Sequence, residues 1–517
     1  MFHLSKDTRT VIVSILILLL LPVLMLSGCA TDSSREAGPA APVVASASSS
    51  EPSSFYQKPQ GDIYKIKWYT IGTPQRDIPA VMVELSKYTL PRINATVEMI
   101  QYDWGEYDEK MELIIQSGEP FDICYSSSGA NDFIRNGTKG AFLPLDALLG
   151  QYGRGILEQE HPLFLEAAKI NGKTYGIPVN KELNCVTVWA FNKRVLDKYG
   201  LDISSVKGIE TLEPLLRKVK EGEGNSMPDV FAVNANSGIP EAGIIDYPIG
   251  EDKCIGMRMD SGERRFINKY EDLEVIHTLK YMRKYYLAGY IRQDAAMNAG
   301  GDYQTTGNYL VKQDGWIPGA DELWSRNAGY PIVSVPVYDS FFISSAGLLG
   351  SCMAISATSG DPASAMKFLN LLNTDRYVRN TADSGIEGVH YRMEDGRQIN
   401  LPASRNYDMP TFTLGNRYIL NSYIDDPYDD MGAQYKRLND SGVPSPLIGF
   451  RPDTSRFTSE LAAIVNVSKE FTPGLITGSV DPDIYLSKFI AKLKSVGFDR
   501  VLEDVQRQYD EFLAGKE

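Results

Sequence analysis

The chain has little of the chemistry on which most enzymes depend. It contains four histidines in 517 residues, and they are dispersed along the sequence. No HExxH motif, CxxC pair or EF-hand loop is present, so the sequence offers no metal site and we expect no cofactor. The Gly-x-Ser-x-Gly and GxxxxGK[ST] motifs are absent too, which leaves serine-hydrolase and P-loop nucleotide chemistry without support.

Cysteine and positive charge are also scarce. After Cys29, the remaining cysteines are Cys124, Cys185, Cys254 and Cys352, widely spaced and in largely apolar surroundings. Buried free thiols are therefore expected, and the sequence leaves open whether any of them pair. Acidic residues outnumber basic ones by 66 to 52, for a formal net charge of −14. Such a chain is repelled by phosphate backbones and by anionic lipid, so nucleic acid is excluded as a partner.

The N-terminus has the layout of a bacterial export signal. Lys6 and Arg9 precede an apolar run over residues 11–26. A run of this length that is not followed by positive charge is a poor membrane anchor. The tetrapeptide Leu26-Ser27-Gly28-Cys29 resembles a bacterial lipobox. We therefore predict that residues 1–28 are a cleaved lipoprotein signal peptide and that Cys29 carries the lipid.

Residues 29–60 are predicted to be the lipidated N-terminus and a flexible linker. They consist mostly of Ala, Ser, Pro and Gly, with too few apolar side chains to offset the entropy of ordering. About 30 residues of this kind span on the order of 30 Å. The linker would hold the folded body at the extracellular face of the cell membrane, as in Gram-positive lipoproteins, with the lipid as its membrane contact.

Residues 61–180 show a βαβαβ pattern and are predicted to form a first α/β lobe. Apolar residues alternate over 64–68 and 95–99, and a third short apolar strand covers 121–125. Helices are predicted from about 77 and over 106–117. Strands separated by single helices run parallel, so the loops at their carboxyl ends should share one edge of a covered sheet.

Residues 181–356 show a similar alternation and are predicted to form a second α/β lobe. Strands are predicted near 186–192, 230–234 and 332–337, and a hairpin around Asp260-Ser261-Gly262. Helices dominate residues 357–517, which are predicted to pack on both lobes. The predicted fold class is therefore α/β, with two lobes and an added helical C-terminal region.

Two features are compatible with carbohydrate as a substrate or ligand. A cluster of carboxylates could serve a glycosidase if two of them lay about 5 to 10 Å apart, but a solvated acidic loop is the favoured interpretation of a cluster in so acidic a chain. Its members are Asp425, Asp426, Asp429 and Asp430. Twenty-nine tyrosines and five tryptophans offer faces that stack on sugar rings while amides and carboxylates bond the hydroxyls.

Two sequence segments carry a family resemblance. Residues 171–179 read NGKTYGIPV, and residues 191–202 read FNKRVLDKYGLD. In this order they resemble two internal signatures of the family 1 extracellular solute-binding proteins, the receptor subunits of ABC importers. Gly172 can turn a hairpin, and Asn192 can cap the helix that follows a strand crossing into the other lobe.

The resemblance extends to the C-terminus. The segments 385–391 (GIEGVHY) and 439–450 (NDSGVPSPLIGF), with the final helices, resemble a subgroup of large receptor lipoproteins for oligosaccharide uptake. That subgroup ends in a helical domain of unknown function. The resemblance implies a two-lobed periplasmic-binding-protein-like fold (type II) and no catalytic residue. It also implies a monomer that traps a small-molecule ligand, here an oligosaccharide, and delivers it to ABC permease subunits.

The resemblance also implies positions for the ligand-binding residues. They lie in the loop after the first strand, after the third strand, after the Tyr-Gly-Ile-Pro signature, after the strand that contains Val311, and in the segment 385–391. The expected residues are Thr73, Gln75, Asp77, Tyr125, Ser126, Ser127, Glu182, Trp316, Glu387 and Tyr391. Two other functions remain open from the residues alone: a surface glycosidase, and a lipoprotein for adhesion or ligand sensing.

Overall fold

The structure is a computed structural model that describes residues 62–239, 244–298 and 306–515. The predicted signal peptide (1–28), the lipidation site Cys29 and the whole of the linker (29–60) therefore lie outside the described residues. Within the described part of the chain, no helix is both long and apolar enough to cross a membrane.

The first lobe is built on a five-stranded sheet whose three leading strands run parallel. Tyr64–Ile71 lies between Ala95–Tyr102 and Ile123–Ser126 in the parallel orientation that the βαβαβ pattern predicts. Cys352–Ile355 and Ile177–Pro178 complete the sheet. Cys352–Ile355 runs antiparallel to both of its neighbours because the chain re-enters this sheet from the second lobe.

The position of Cys352–Ile355 corrects the predicted boundary of the second lobe. The sequence pattern assigns residues 181–356 to that lobe, but this strand hydrogen-bonds with Ile123–Ser126 of the first sheet. All four of its residues are buried. A fully buried strand carries no periodicity that distinguishes one sheet from another, so only the pairing reveals where it belongs.

Helices cover both faces of the first sheet. Ile78–Ile93 and Pro362–Thr374 pack on the face that presents Trp68, and Phe368 meets Trp68 edge to face with ring centroids 5.6 Å apart. Tyr107–Ser117 packs on the opposite face. Shorter helices in this lobe are Phe133–Thr138, Asp146–Tyr152, Arg154–Gln159 and Pro162–Ala167.

The second lobe contains a four-stranded mixed sheet. Its strands are ordered Ile332–Pro336, Val186–Asn192, Tyr309–Trp316 and Asp229–Phe231. Only the last two run parallel, and the other pairings are antiparallel. The sheet therefore does not repeat the parallel pattern of the first lobe. The chain enters it through Val186–Asn192 and leaves it through Ile332–Pro336 at the same edge, so these two strands run in opposite directions. The described helices of this lobe are Lys193–Tyr199, Glu213–Glu223, Leu273–Leu287 and Ala320–Ala328. The short helix Ser345–Leu348 belongs to the chain that returns to the first lobe, because Leu348 packs in the core of that lobe.

Three local predictions are confirmed. Gly172, with a φ of 78°, turns a short antiparallel hairpin. Asn192 caps the following helix by accepting a hydrogen bond from the backbone N–H of Arg194 at 3.1 Å. The predicted hairpin also forms, but only Ile255 and Gly256 pair with Ile267–Asn268, so its loop is wider than the predicted turn at 260–262. Ile245–Asp246 extends it to three strands.

The helices after residue 357 are divided between the lobes. Pro362–Thr374 and Arg376–Ser384 pack into the core of the first lobe. Thr458–Ile476, Pro482–Ser495 and Phe498–Ala514 pack into the core of the second. Between these groups lie the hairpin Tyr391–Glu394 with Arg397–Asn400 and the helix Met431–Asp440.

Three segments cross between the lobes, over residues 179–185, 337–351 and 440–446. They are hydrogen-bonded to one another. Phe342 in the second crossing pairs with Val443 in the third, and Asn184 in the first donates to the carbonyl oxygen of Phe342 at 2.9 Å. Asn439, just before the third crossing, accepts from the backbone N–H of Leu183 at 2.8 Å. The hinge is therefore a small hydrogen-bonded unit rather than a pair of independent strands.

The four described cysteines are unpaired. Cys124, Cys254 and Cys352 are buried, as their apolar neighbours predict. Cys185 is exposed, contrary to the expectation of a buried thiol. It lies in the first crossing, where the chain runs between the lobes rather than through a core.

Candidate functional site

The points at which the chain crosses between the lobes identify the edges of the two sheets that face each other. In the first sheet the chain leaves after Pro178 and returns at Cys352, at the carboxyl ends of the parallel strands. In the second it enters at Val186 and leaves after Pro336, and this edge also holds the carboxyl end of Tyr309–Trp316. Ligands of α/β proteins bind at the carboxyl ends of strands, so the candidate site lies between these edges.

The loop over residues 72–77 lies on the first-lobe side of this cleft. Gln75 is bonded within the lobe: its backbone N–H donates to Oε1 of Gln101 at 3.1 Å, and its own Oε1 accepts from the N–H of Asp408 at 3.0 Å. Thr73 is exposed. Gln75 therefore anchors the loop, and Thr73 is the predicted side chain that this loop presents to solvent.

Asp77 is joined to His390 across a long separation in sequence. Nε2 of His390 lies 3.3 Å from Oδ2 of Asp77, and Nδ1 accepts from the backbone N–H of Ile386 at 2.9 Å. Because Nδ1 is an acceptor, the ring proton is on Nε2 and is donated to the carboxylate. The pair joins the loop 72–77 to the segment 385–391, two of the five regions that the family resemblance places near the ligand.

An exposed aromatic pair stands on the same edge of the first lobe. Trp104 follows the strand Ala95–Tyr102, and its ring stacks on Phe412 with centroids 6.0 Å apart and an angle of 23° between the planes. Trp104 is 48 % exposed and Phe412 is 39 % exposed. Ser351, in the second crossing, donates to the carbonyl oxygen of Phe412. The stack is thus held beside the hinge, with aromatic surface open to solvent.

The three residues predicted to follow the third strand lie inside the lobe, and Tyr125 and Ser126 belong to the strand itself. Tyr125 donates to the carbonyl oxygen of Gly350 at 3.2 Å, and burial raises the pKa of its hydroxyl. Ser126 donates to the carbonyl oxygen of Asn131, and Ser127 accepts backbone N–H groups of its own turn. All three are buried. In this arrangement of the lobes the hydroxyl of Tyr125 is bonded to the second crossing, and those of Ser126 and Ser127 stabilise the loop after the strand.

Glu182 forms an ion pair at the first crossing. Oε2 of Glu182 lies 2.7 Å from Nη1 of Arg417, and Nη2 of Arg417 donates to the hydroxyl of Tyr435 at 2.9 Å. The guanidinium also lies over the Tyr435 ring, 4.2 Å from its centroid. Arg417 and Tyr435 line a cavity of about 220 Å³ together with Ile317 and Asn421. We call this cavity the Arg417 pocket.

A larger cavity of about 340 Å³, which we call the second-lobe pocket, lies at the cleft-facing edge of the second sheet. Aromatic rings and polar side chains both line it. Its lining includes Asn184, Cys185, Phe231, Gln313, Phe341 and Phe342. Trp316 lies between the two cavities, because Gly315 lines the second-lobe pocket and Ile317 lines the Arg417 pocket.

The segment 385–391 is a tight turn on the first lobe. Gly388 donates its N–H to the carbonyl oxygen of Tyr391 at 2.7 Å. Glu387 is exposed, whereas Tyr391 is 5 % exposed. Burial and the charge of Glu387 raise the pKa of Tyr391 to about 12. Of the two predicted residues, Glu387 is the one that reaches solvent.

The four carboxylates of the acidic cluster all have structural partners. Asp425 and Asp429 form ion pairs with Arg326 and Arg397. The other two accept backbone N–H groups, one of them as the cap of the helix Met431–Asp440. Burial raises the pKa of Asp426. The cluster therefore stabilises the loop, and this arrangement gives no support to a pair of catalytic carboxylates.

Four residues of this cleft are not among the sequence predictions: Trp104, Phe412, Gln313 and Arg417. The rule that selects Thr73 and Tyr125, a position just after a strand of the parallel sheet, applies equally to Trp104 and would have found it. Phe412 and Arg417 carry no such signal. They come from irregular chain after residue 400, and only the tertiary structure brings them to the hinge.

Comparison with known proteins agrees with this architecture. The family model described as bacterial extracellular solute-binding protein matches residues 87–386. A second model, a domain of unknown function (DUF3502), matches residues 446–514, which include the three helices packed on the second lobe. A carbohydrate ABC transporter substrate-binding protein of Streptococcus pneumoniae is 30 % identical, with 88 % of this chain and 92 % of the relative covered.

Solved structures give the same result. The crystal structure of the N-glycan transport solute-binding protein NgtS from Streptococcus pneumoniae is 31 % identical and covers 88 % of this chain and 100 % of its own, with a TM-score of 0.79. Its complex with Man5GlcNAc is 30 % identical over 88 % of this chain and 99 % of its own, with a TM-score of 0.65. The chain therefore belongs to the bacterial extracellular solute-binding proteins.

Proposed function

We propose that this protein captures an oligosaccharide between its two lobes and delivers it unchanged to the permease of an ABC importer. The observation that carries the proposal is the exposed stack of Trp104 and Phe412 beside the hinge. Aromatic faces bind the apolar faces of sugar rings, and such surface is costly to leave in water without a partner. Trp316, on the opposing edge, supplies a second aromatic side chain.

The relatives narrow the ligand class. The Streptococcus pneumoniae structures are described as an N-glycan transport protein bound to Man5GlcNAc or to Man1GlcNAc. This chain covers nearly all of that protein, including its C-terminal region. A fragment of an N-glycan that contains mannose and N-acetylglucosamine is therefore the ligand we expect here.

Closure of the lobes on the ligand is part of the proposal. The chain superposes better on the relative described without a ligand, with a TM-score of 0.79, than on its complexes, with 0.65 and 0.68. Sequence identity is almost the same in the three comparisons, so the difference reflects the arrangement of the chain. This difference supports the proposal that the cleft is open in the present structure and that ligand moves the lobes about the three hydrogen-bonded crossings.

We further propose that the protein works outside the cell as a lipoprotein anchored through Cys29. An acidic body that does not attach to anionic lipid by itself needs such a lipid to stay near its permease. A linker of about 30 residues leaves the lobes free to turn toward it.

Calorimetric titration with Man1GlcNAc, Man5GlcNAc and a panel of unrelated glycans tests the proposal. We expect micromolar or tighter binding to the mannose-containing fragments, and chromatography should recover them unchanged. Hydrolysis of the glycan would instead identify a surface glycosidase. Absence of binding to every glycan, with binding to a protein domain, would identify an adhesion or sensing lipoprotein.

A further inference from the structure

One wall of the second-lobe pocket has an unmet hydrogen-bonding requirement. Oε1 of Gln313 is buried and has no hydrogen-bond partner among the residues that the structure describes. Gln313 lines the pocket, and it lies near the cleft end of the strand Tyr309–Trp316. A buried acceptor without a donor is unfavourable, and native proteins retain one chiefly where a ligand or water completes it.

Other polar groups of this pocket are already used by the protein. Asn184 donates to the carbonyl oxygen of Phe342 at 2.9 Å and accepts from the N–H of Cys185 at 2.9 Å. Asp314 pairs with Lys312 and accepts a backbone N–H. Among the described residues that line this pocket, Gln313 is thus the one whose buried acceptor oxygen receives no hydrogen bond. A ligand group that bonds to this oxygen must be a donor.

Three phenylalanine rings form part of the pocket wall, among its polar side chains. Phe231, Phe341 and Phe342 are packed around it, two of them less than 10 % exposed. The pocket's 340 Å³ is near the lower end of the range for small-molecule sites, about 300–1,000 Å³. It suits a sugar ring with one substituent rather than a whole oligosaccharide.

We propose that the second-lobe pocket binds an N-acetylated hexosamine unit of the captured glycan. The acetamido group combines a donor and a methyl group within a few bonds of each other: its N–H donates to Oε1 of Gln313, and its methyl group packs on the phenylalanine rings. A plain hydroxyl at the same carbon could meet the acceptor and would leave the aromatic wall uncovered. This assignment rests on the proposed function and specifies which part of the glycan enters which cavity.

The first test compares two ligands that differ only at this group: Man1GlcNAc, and the same disaccharide with a hydroxyl in place of the acetamido group. We expect the native protein to bind the acetamido sugar at least tenfold more tightly. Gln313→Leu removes the acceptor to which both sugars can donate and should weaken the binding of both at least tenfold, whereas Phe341→Ala removes part of the aromatic wall and should reduce the preference below threefold. Gln313→Glu keeps the acceptor and should keep the preference.

Equal affinity of the native protein for the two disaccharides would overturn the assignment, and so would a Gln313→Leu variant that binds both disaccharides as tightly as the native protein does. Failure of the proposed function gives a different result, because then neither disaccharide nor any other glycan binds. The two ideas can therefore fail separately.

A second test locates the sugar without relying on affinity. Cys185 lines the same pocket and is exposed, whereas the other described cysteines are buried. In the secreted Cys29→Ala protein, a thiol reagent should therefore modify Cys185 selectively. Saturating Man1GlcNAc should slow this modification at least tenfold. An unchanged rate at saturation would place the sugar outside the pocket and contradict the assignment.

Discussion

Trp104 and Phe412 stack with their ring centroids 6.0 Å apart, although the entire four-stranded sheet of the second lobe lies between them in the sequence. Trp104 is placed by the carboxyl end of a parallel strand, and Phe412 by a short turn that Ser351 holds against the hinge. Each ring supports the other while leaving surface exposed. The stack is therefore a rigid aromatic surface, of the kind that binds a sugar ring at little cost in entropy.

Loss of this stack should weaken ligand binding without unfolding the protein. We expect Trp104→Ala and Phe412→Ala each to raise the Kd for Man5GlcNAc about tenfold, which corresponds to about 1.4 kcal/mol. Both side chains are substantially exposed, so the melting temperature should change little. Leu287→Ala, at an exposed apolar residue of the second lobe, is the matched control and should bind normally. Normal affinity in both stack variants would place the ligand elsewhere.

Glu160 should make stability depend on pH. Its carboxyl is buried, Oε1 has no hydrogen-bond partner, and desolvation raises its pKa well above the ordinary value of 4.5. The unfolded chain releases this proton near pH 4.5 and the folded protein keeps it, so stability falls by about 1.4 kcal/mol per pH unit above 4.5, until the folded pKa is reached.

Glu160→Gln removes this titration. We expect the variant to match the native protein below pH 4.5 and to become progressively more stable than it as the pH rises, as measured by chemical denaturation across that range. Glu158→Gln is the control, since Glu158 is largely exposed and paired with Arg154. A constant difference between the Glu160 variant and the native protein at every pH would contradict the prediction.

The ion pair between Glu182 and Arg417 should stabilise the first crossing. Arg417→Ala leaves a carboxylate that is only 14 % exposed without its main partner, and we expect a loss of about 1–3 kcal/mol in the free energy of unfolding. Lys436→Ala breaks an exposed helical pair with Asp440 and should cost less than about 0.5 kcal/mol. Equal losses of unfolding free energy in the two variants would show that partial burial of the Glu182–Arg417 pair does not increase its contribution to stability.

Asn439 should hold the first and third crossings together. It accepts from the N–H of Leu183 and donates to the carbonyl oxygen of Lys181 at 2.7 Å. Asn439→Ala leaves a buried backbone N–H without a partner, which we expect to cost about 1–3 kcal/mol in denaturant unfolding. Asn439→Asp keeps the acceptor and should recover part of the loss. An aspartate variant that is no more stable to denaturant than the alanine variant would show that the bond to Leu183 contributes little to stability.

Cys29 should determine where the protein resides. Cys29→Ala removes the thiol that would carry the lipid, so the exported protein should appear in the medium instead of the membrane fraction. Its affinity for glycans should not change, because the anchor lies outside the folded lobes. Retention of the variant in the membrane fraction would contradict lipid anchoring.

The local elements of this fold could be predicted from the sequence because their signals are local. The alternation over residues 64–68 and 95–99, the turn at Gly172 and the cap at Asn192 each depend on a few neighbouring residues, and all are present in the folded protein. The family signatures are contiguous as well. The two-lobed fold and the binding role therefore follow from short stretches of sequence.

The sequence alone thus determined the strands and helices, the family and the absence of catalytic motifs. The tertiary structure decided which sheet receives Cys352–Ile355, that Asp77 is engaged by His390, and that Trp104 meets Phe412. It also decided that Tyr125 is buried while Gln313 is left with an unmet acceptor. These relationships join residues far apart in the chain, and neither spacing nor periodicity encodes them. They are set by strand pairing and side-chain packing, which exist only once the lobes have formed.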